Sequence, residues 1–193
     1  MHSQVEHICN INLKKRISRK NLEEMVPCQV NSPEFKSELL LSYRDFGYNS
    51  ALINTAISFF EGIIYLAEDN HGVFNKCILH LGDVMTINVN EEGENYAIIR
   101  AIFHHKGNNG YFYAFIAIDW FEKTGQTNNM LECPIYKIQS TKNRNWRRIY
   151  PLMIIDQVAK VNFIHNCLAE RCINGHDLSN TSYLKNNYFF TAI

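Results

Sequence analysis

The chain has 193 residues, 46% hydrophobic and 20% charged, and its lysines and arginines balance its acids at a formal net charge of zero. That length and composition suffice for one packed domain with an extension and argue against wholesale disorder. The charge balance argues against a protein whose affinity rests mainly on nonspecific phosphate contacts, which is ordinarily basic, and leaves local basic patches open. The chain carries six cysteines: Cys9, Cys28, Cys77, Cys133, Cys167 and Cys172. Met1 to Leu13 is too polar for a secretory signal, and the apolar runs are too short to span a membrane. The expected setting is therefore reducing, with the cysteines as thiols or metal ligands.

In chain order, the first 26 residues are polar and contain the basic run Lys14-Lys15-Arg16-Ile17-Ser18-Arg19-Lys20. This run reads either as a solvated arm or as a nuclear-localisation or phosphate-binding patch. Ser32-Pro33-Glu34 is a helix start, with a serine cap, proline at the first position and then an acid. Phe35, Leu39, Leu40 and Leu41 fall in helical reach from Glu34 to Tyr43, and Gly47 is expected to end the helix. A second helix is expected after Asn49 or Ser50, because Ala51, Leu52, Ala56, Phe59, Phe60, Ile63 and Ile64 fall at helical spacing. Gly62 is the weak point of that pattern. Val73 to Leu81 reads as a short strand. Three strands follow, Gly82 to Asn90, Asn95 to Phe103 and Tyr111 to Trp120, joined by Gly- and Asn-bearing turns. The last is almost unbroken apolar sequence and is expected to be buried on both faces. Glu122 to Asn129 reads as a polar loop. Glu132 to Gln139 reads as an edge or bulged strand at Pro134, and Ser140 to Arg148 as a basic loop. Ile149 to Ile155 and Val158 to Ile164 read as short strands. A loop-like tail from His165 ends in aromatic residues that dock on the body.

Gly82-Asp83, Tyr96-Ala97-Ile98-Ile99 and Trp120-Phe121-Glu122 together resemble the motif order of a BAH (bromo-adjacent homology) domain. The resemblance spans roughly Leu79 to Cys167. It implies a distorted barrel or bent antiparallel sheet, with N-terminal helices packed on it, working in chromatin as a protein-interaction module. By the same resemblance Tyr96 and Trp120 would wall a methyl-lysine cage, since a poorly hydrated ammonium is held by cation–π attraction to several rings. Glu122 stands where some such readers carry a third aromatic, and would be a polar wall. Read from the residues alone, Tyr96 and Trp120 are half-buried sheet aromatics.

Two further constellations stand out. His165, Cys167, Cys172 and His176 form H-x-C-x4-C-x3-H, and thiolates with imidazoles suit a structural zinc. The alternative is ordinary buried cysteines and surface histidines. Lys142, Arg144, Arg147 and Arg148 around Trp146 make a basic aromatic loop that would suit nucleic acid or an acidic protein patch, or would simply be solvated. The sequence has no phosphate-cradling glycine loop, nucleophile elbow or HExxH.

The reading that results is a mainly β, non-enzymatic, nuclear module. It has a helical N-terminal extension over 1–76, a β core over 77–167 and a docking tail over 168–193. Its expected partner is a histone tail or nucleosome, with no membrane involved. The alternative is a nucleic-acid-binding accessory protein, tied to a mobile element, with a zinc-stabilised tail.

Overall fold

A computed structural model describes residues 8–17, 32–45, 47, 57–68, 71–87, 95–107, 109–139, 147–155, 160–165 and 182–186. Its described residues are mainly β, with ten strands and one α-helix: β1 (Ile8–Ile17), α1 (Pro33–Asp45), β2 (Ile57–Glu68), β3 (Phe74–His80), β4 (Val84–Ile87), β5 (Asn95–Lys106), β6 (Phe112–Thr127), β7 (Pro134–Ile138), β8 (Ile149–Pro151), β9 (Phe163–His165) and β10 (Ser182–Lys185). All strand pairs are antiparallel. The main path is β1-β2-β5-β6-β7-β10-β9, with β3 on β2, β4 on β5 and β8 on β6. The sheet does not close into a barrel: its path begins at β1 and ends at β9.

The described residues of 1–76 are not a helical extension, since strands β1 and β2 flank α1. Of the expected second helix, residues 49–56 lie outside the described residues, and the part from Ile57 is β2, which pairs with β1 on one side and with both β5 and β3 on the other. Residues such as Ile57, Phe59, Phe60, Ile63, Ile64 and Tyr65 suit a pleated surface as well as they suit a helix face. Pairing on both edges decides between the two. Gly62 then has a different purpose: a Cβ there would sit 2.9 Å from the Leu79 carbonyl oxygen, so only glycine lets β3 approach. The basic run is likewise structured in part, since Lys14, Lys15 and Arg16 lie on β1. Charged side chains on an outermost strand discourage pairing with a further chain.

The helix α1 forms as the sequence predicts. The Ser32 hydroxyl accepts the Phe35 backbone N–H (3.1 Å), and the Gly47 N–H closes the end on the Arg44 carbonyl (2.8 Å). Phe35, Leu39 and Tyr43, at i, i+4 and i+8, bury one stripe against Phe59, Phe103 and Phe115 of the sheet. Glu38, Ser42 and Asp45 form a second stripe. The Glu38 carboxylate accepts the backbone N–H groups of Arg148 (2.8 Å) and Ile149 (3.1 Å), and Ser42 donates to the Ile149 carbonyl (2.6 Å). One helix therefore holds both the sheet and the segment entering β8.

β6 is longer than expected and runs on through Thr127, so the predicted polar loop after Trp120 is strand. Its residues 115–121 are all buried, as the unbroken apolar run implied. Pairing with β5 sets the faces. Ala97, Ile99 and Ile102 share one face with Trp120, Ile118 and Ile116. That face packs against Ile63, Tyr65, Leu79, Met85 and Tyr150. The register slips by one residue between Ile99 and Ala101. The extra residue is Arg100, and such a bulge re-aims its side chain. At the β3–β4 corner Gly82 takes φ +84, and Asp83 accepts the His80 backbone N–H (2.7 Å) and pairs with Lys160 (2.8 Å). β7 is an interior strand between β6 and β10, with Pro134 at its first position, where no ladder donor is needed. The tail contributes β10, which pairs with β7 and β9.

Candidate functional site

Tyr96 and Trp120 leave the same ribbon in opposite directions. Ala97 is the cross-strand partner of Trp120. Tyr96 is the next residue along, so its side chain lies on the other face. Trp120, 3% exposed, is packed in the main core with its ring edge-on to Tyr150 (5.8 Å). Its indole N–H donates to the Arg147 carbonyl (2.9 Å). Tyr96, 5% exposed, packs with Val84, Phe121 and Tyr136 in a separate cluster. The expected two-walled cage is therefore not formed: the sheet itself lies between the two rings. Glu122 is exposed on β6 and pairs across the strands with Lys137 (3.5 Å).

What surrounds Tyr96 is a set of rings from β5, β6, β7, β9 and β10. Tyr136 stands edge-on to it (5.6 Å) and Phe163 tilted (5.5 Å), with 5.2 Å between those two. Phe121 stacks on Phe163 (4.3 Å), and Tyr183 closes on Phe121 (5.2 Å). Into this cluster reaches an ammonium. The Lys185 Nζ contacts the Tyr96 hydroxyl and lies 4.4 Å from its ring centroid. A tyrosine ring offers a cation both its negative face and its phenol oxygen. Tyr136, Phe163, Tyr183 and Lys185 were not singled out in the sequence. Lys185 is 89 residues from Tyr96, and its place follows from β10 pairing with β9, where it is opposite Phe163, and with β7.

The basic loop divides. Lys142, Arg144 and Trp146 lie outside the described residues. Arg148 is buried and Arg147 half-buried, and both guanidinium groups are engaged in ion pairs within the chain. Arg147 pairs with Asp45 of α1, and its guanidinium lies 4.3 Å from the Tyr150 ring centroid. Burial raises the Tyr150 phenol pKa, and Arg147 opposes that rise. Arg148 is buried, pairs with Asp119 and donates from Nε to the Ile118 carbonyl (3.3 Å). The same Asp119 accepts from the Nε of the bulged Arg100 (2.8 Å). Burial lowers the Arg100 pKa, and Tyr183 opposes that shift. The Arg100–Asp119–Arg148 group thus separates the cluster under α1 from the one around Tyr96 on one face of the sheet.

Of the zinc candidates only His165 is described; Cys167, Cys172 and His176 lie outside the described residues. The His165 ring packs against Tyr183 (5.1 Å). Among the described residues no group of three or more His, Cys, Asp or Glu is placed to hold a metal ion. Cys77 and Cys133 are buried, and among the described residues no helix is long and apolar enough to cross a membrane. Comparison with protein-family models, curated proteins and solved structures found no match.

Proposed function

We propose that this protein is a protein-interaction module of the chromatin type, as its resemblance to a BAH domain implies, acting by binding and not by catalysis. Its ligand is a lysine side chain of a partner's tail, a histone tail in a nuclear setting, and its site is the ring cluster around Tyr96. One observation carries the reading: a lysine ammonium, that of Lys185, is already accommodated against Tyr96 beside Tyr136 and Phe163. Lys185 is half-buried on a four-residue strand, so a partner's ammonium competes with it. Trp120 has no part in this site and supports it only through the fold.

The test is titration of labelled unmethylated and methylated histone-tail peptides into the wild type, Lys185→Ala and Lys185→Arg. Vacating the position is expected to tighten peptide binding severalfold, and arginine is expected to keep it weak. Absence of peptide binding by all three proteins, or equal affinities among them, contradicts the reading.

A further inference from the structure

A second aromatic and basic group lies at the far end of β5. His104 to Lys106 is about 30 Å along the strand from Tyr96, and His104 and Lys106 belong to the opposite face of the β5–β6 ribbon. The register lines up side chains from four strands there. Arg16 of β1 is opposite Phe60 of β2, His104 of β5 follows on the same face, and Lys106 is opposite Phe112 of β6. The rings touch in sequence. Phe60 meets the His104 ring edge-on (5.0 Å), and His104 stacks on Phe112 (4.6 Å, 27° between planes). The Lys106 ammonium lies 5.9 Å from the Phe112 centroid. This row ends in solvent at Phe112, 59% exposed.

A large aromatic so exposed, and braced from behind by a stacked ring, favours a partner with a flat face. Arg16 and Lys106, at the two ends of the row, favour a partner that also carries negative charge. Nucleobases joined by phosphates have both properties, and base–ring stacking tolerates any sequence. A duplex hides its base faces, whereas a single strand offers them. Burial, then the positive Arg16 and His105, hold the His104 pKa below its ordinary value, so at neutral pH its ring stacks as an uncharged plane.

We propose that Phe112, backed by His104 and Phe60, with Arg16 and Lys106 at the two ends of the row, is a stacking platform for single-stranded nucleic acid. The zero net charge of the chain is consistent with this site, because stacking and not long-range attraction supplies most of the affinity. Two phosphate contacts give a shallow salt dependence, with a log–log slope of about −1.4 for a single strand.

The experiment is fluorescence anisotropy of a labelled oligothymidylate of about 15 nucleotides, long enough for one site, with the full chain. A duplex of equal length and polyglutamate serve as competitors. The wild type is expected to bind the single strand in preference to both. Phe112→Ala is expected to weaken binding by about 5- to 100-fold, the loss of one stacked base. Phe112→Trp is expected to restore binding, and Lys106→Ala to reduce the salt slope by about 0.7. These positions are at the surface, and a melting curve for each variant separates lost binding from lost fold. No binding at low salt overturns the proposal, as does binding unaltered in folded Phe112→Ala or equal competition by duplex or polyglutamate. The outcome is independent of the peptide reading, which concerns the other face.

Discussion

On one face of the β5–β6 ribbon Trp120 packs among Ala97, Ile99, Ile118 and Tyr150, with its indole N–H bound to a backbone carbonyl. On the other face Tyr96 packs among rings and touches an ammonium. The two residues are neighbours in the pairing register and share chemistry, so what separates them is direction. Their difference teaches that an aromatic on a strand takes its role from its face. The Trp120 face closes on β2, β3 and β8. The Tyr96 face has α1 over one end only, and its other end is assembled from the short strands β7, β9 and β10.

If the Trp120 face is sealed packing, truncation there is the most damaging change. Trp120→Ala is expected to cost about 3–5 kcal/mol, read as a shift in the denaturant midpoint, and an unshifted midpoint would show that the face is not sealed. The Arg100–Asp119–Arg148 group tests the boundary on the other face. Asp119→Asn keeps the shape and removes the carboxylate facing both guanidinium groups. Breaking a buried pair costs about 3–5 kcal/mol, and the lower end applies here because Arg100 is partly exposed. A loss near zero would mean that solvent screens the group. Lys185→Ala sharpens the contrast. It is expected to cost no more than about 1 kcal/mol of stability, the range of a partly exposed cation–π contact, while raising peptide affinity.

The smallest expected effect is on pH. The folded-state pKa of His104 is depressed, so the unfolded chain takes up the proton first as pH falls. The stability tied to neutral His104 is present above its ordinary pKa of about 6.5 and is lost as pH falls through and below that value. Melting temperatures of the wild type and His104→Phe, compared from about pH 7.5 to about pH 5, should diverge in favour of the variant. Parallel curves would contradict this.

Parts of this architecture are written locally. Ser32-Pro33-Glu34 signals the start of α1, because a cap acts over three residues. The run from Phe115 to Phe121 signals a strand buried on both faces, interrupted only by Asp119, whose partners come from elsewhere. β2 was not legible, because Ala51 to Ile64 satisfies helical spacing and strand composition together, and pairing with β1, β3 and β5 decides between them. β1 was hidden by its charge, since Lys14, Lys15 and Arg16 mark an edge strand as readily as a solvated arm. The site was less legible than the fold. Tyr96 was identified as a candidate, but its partnership with Trp120 depended on register, and the bulge at Arg100 has no local signature in NYAIIRAIF. Arg147 and Arg148 read as a basic surface because their partners, Asp45 and Asp119, are distant in the chain. The placement of Lys185 is likewise a product of tertiary pairing.

The most direct test of the division between the two faces is a paired measurement on Trp120→Phe and Lys185→Ala: urea unfolding beside titration of the same histone-tail peptide. Trp120→Phe should lower the unfolding midpoint and leave the affinity of the folded protein unchanged. Lys185→Ala should leave the midpoint nearly unchanged and tighten binding. Loss of peptide binding in fully folded Trp120→Phe, with no effect of Lys185→Ala, would put the site on the Trp120 face and contradict the account.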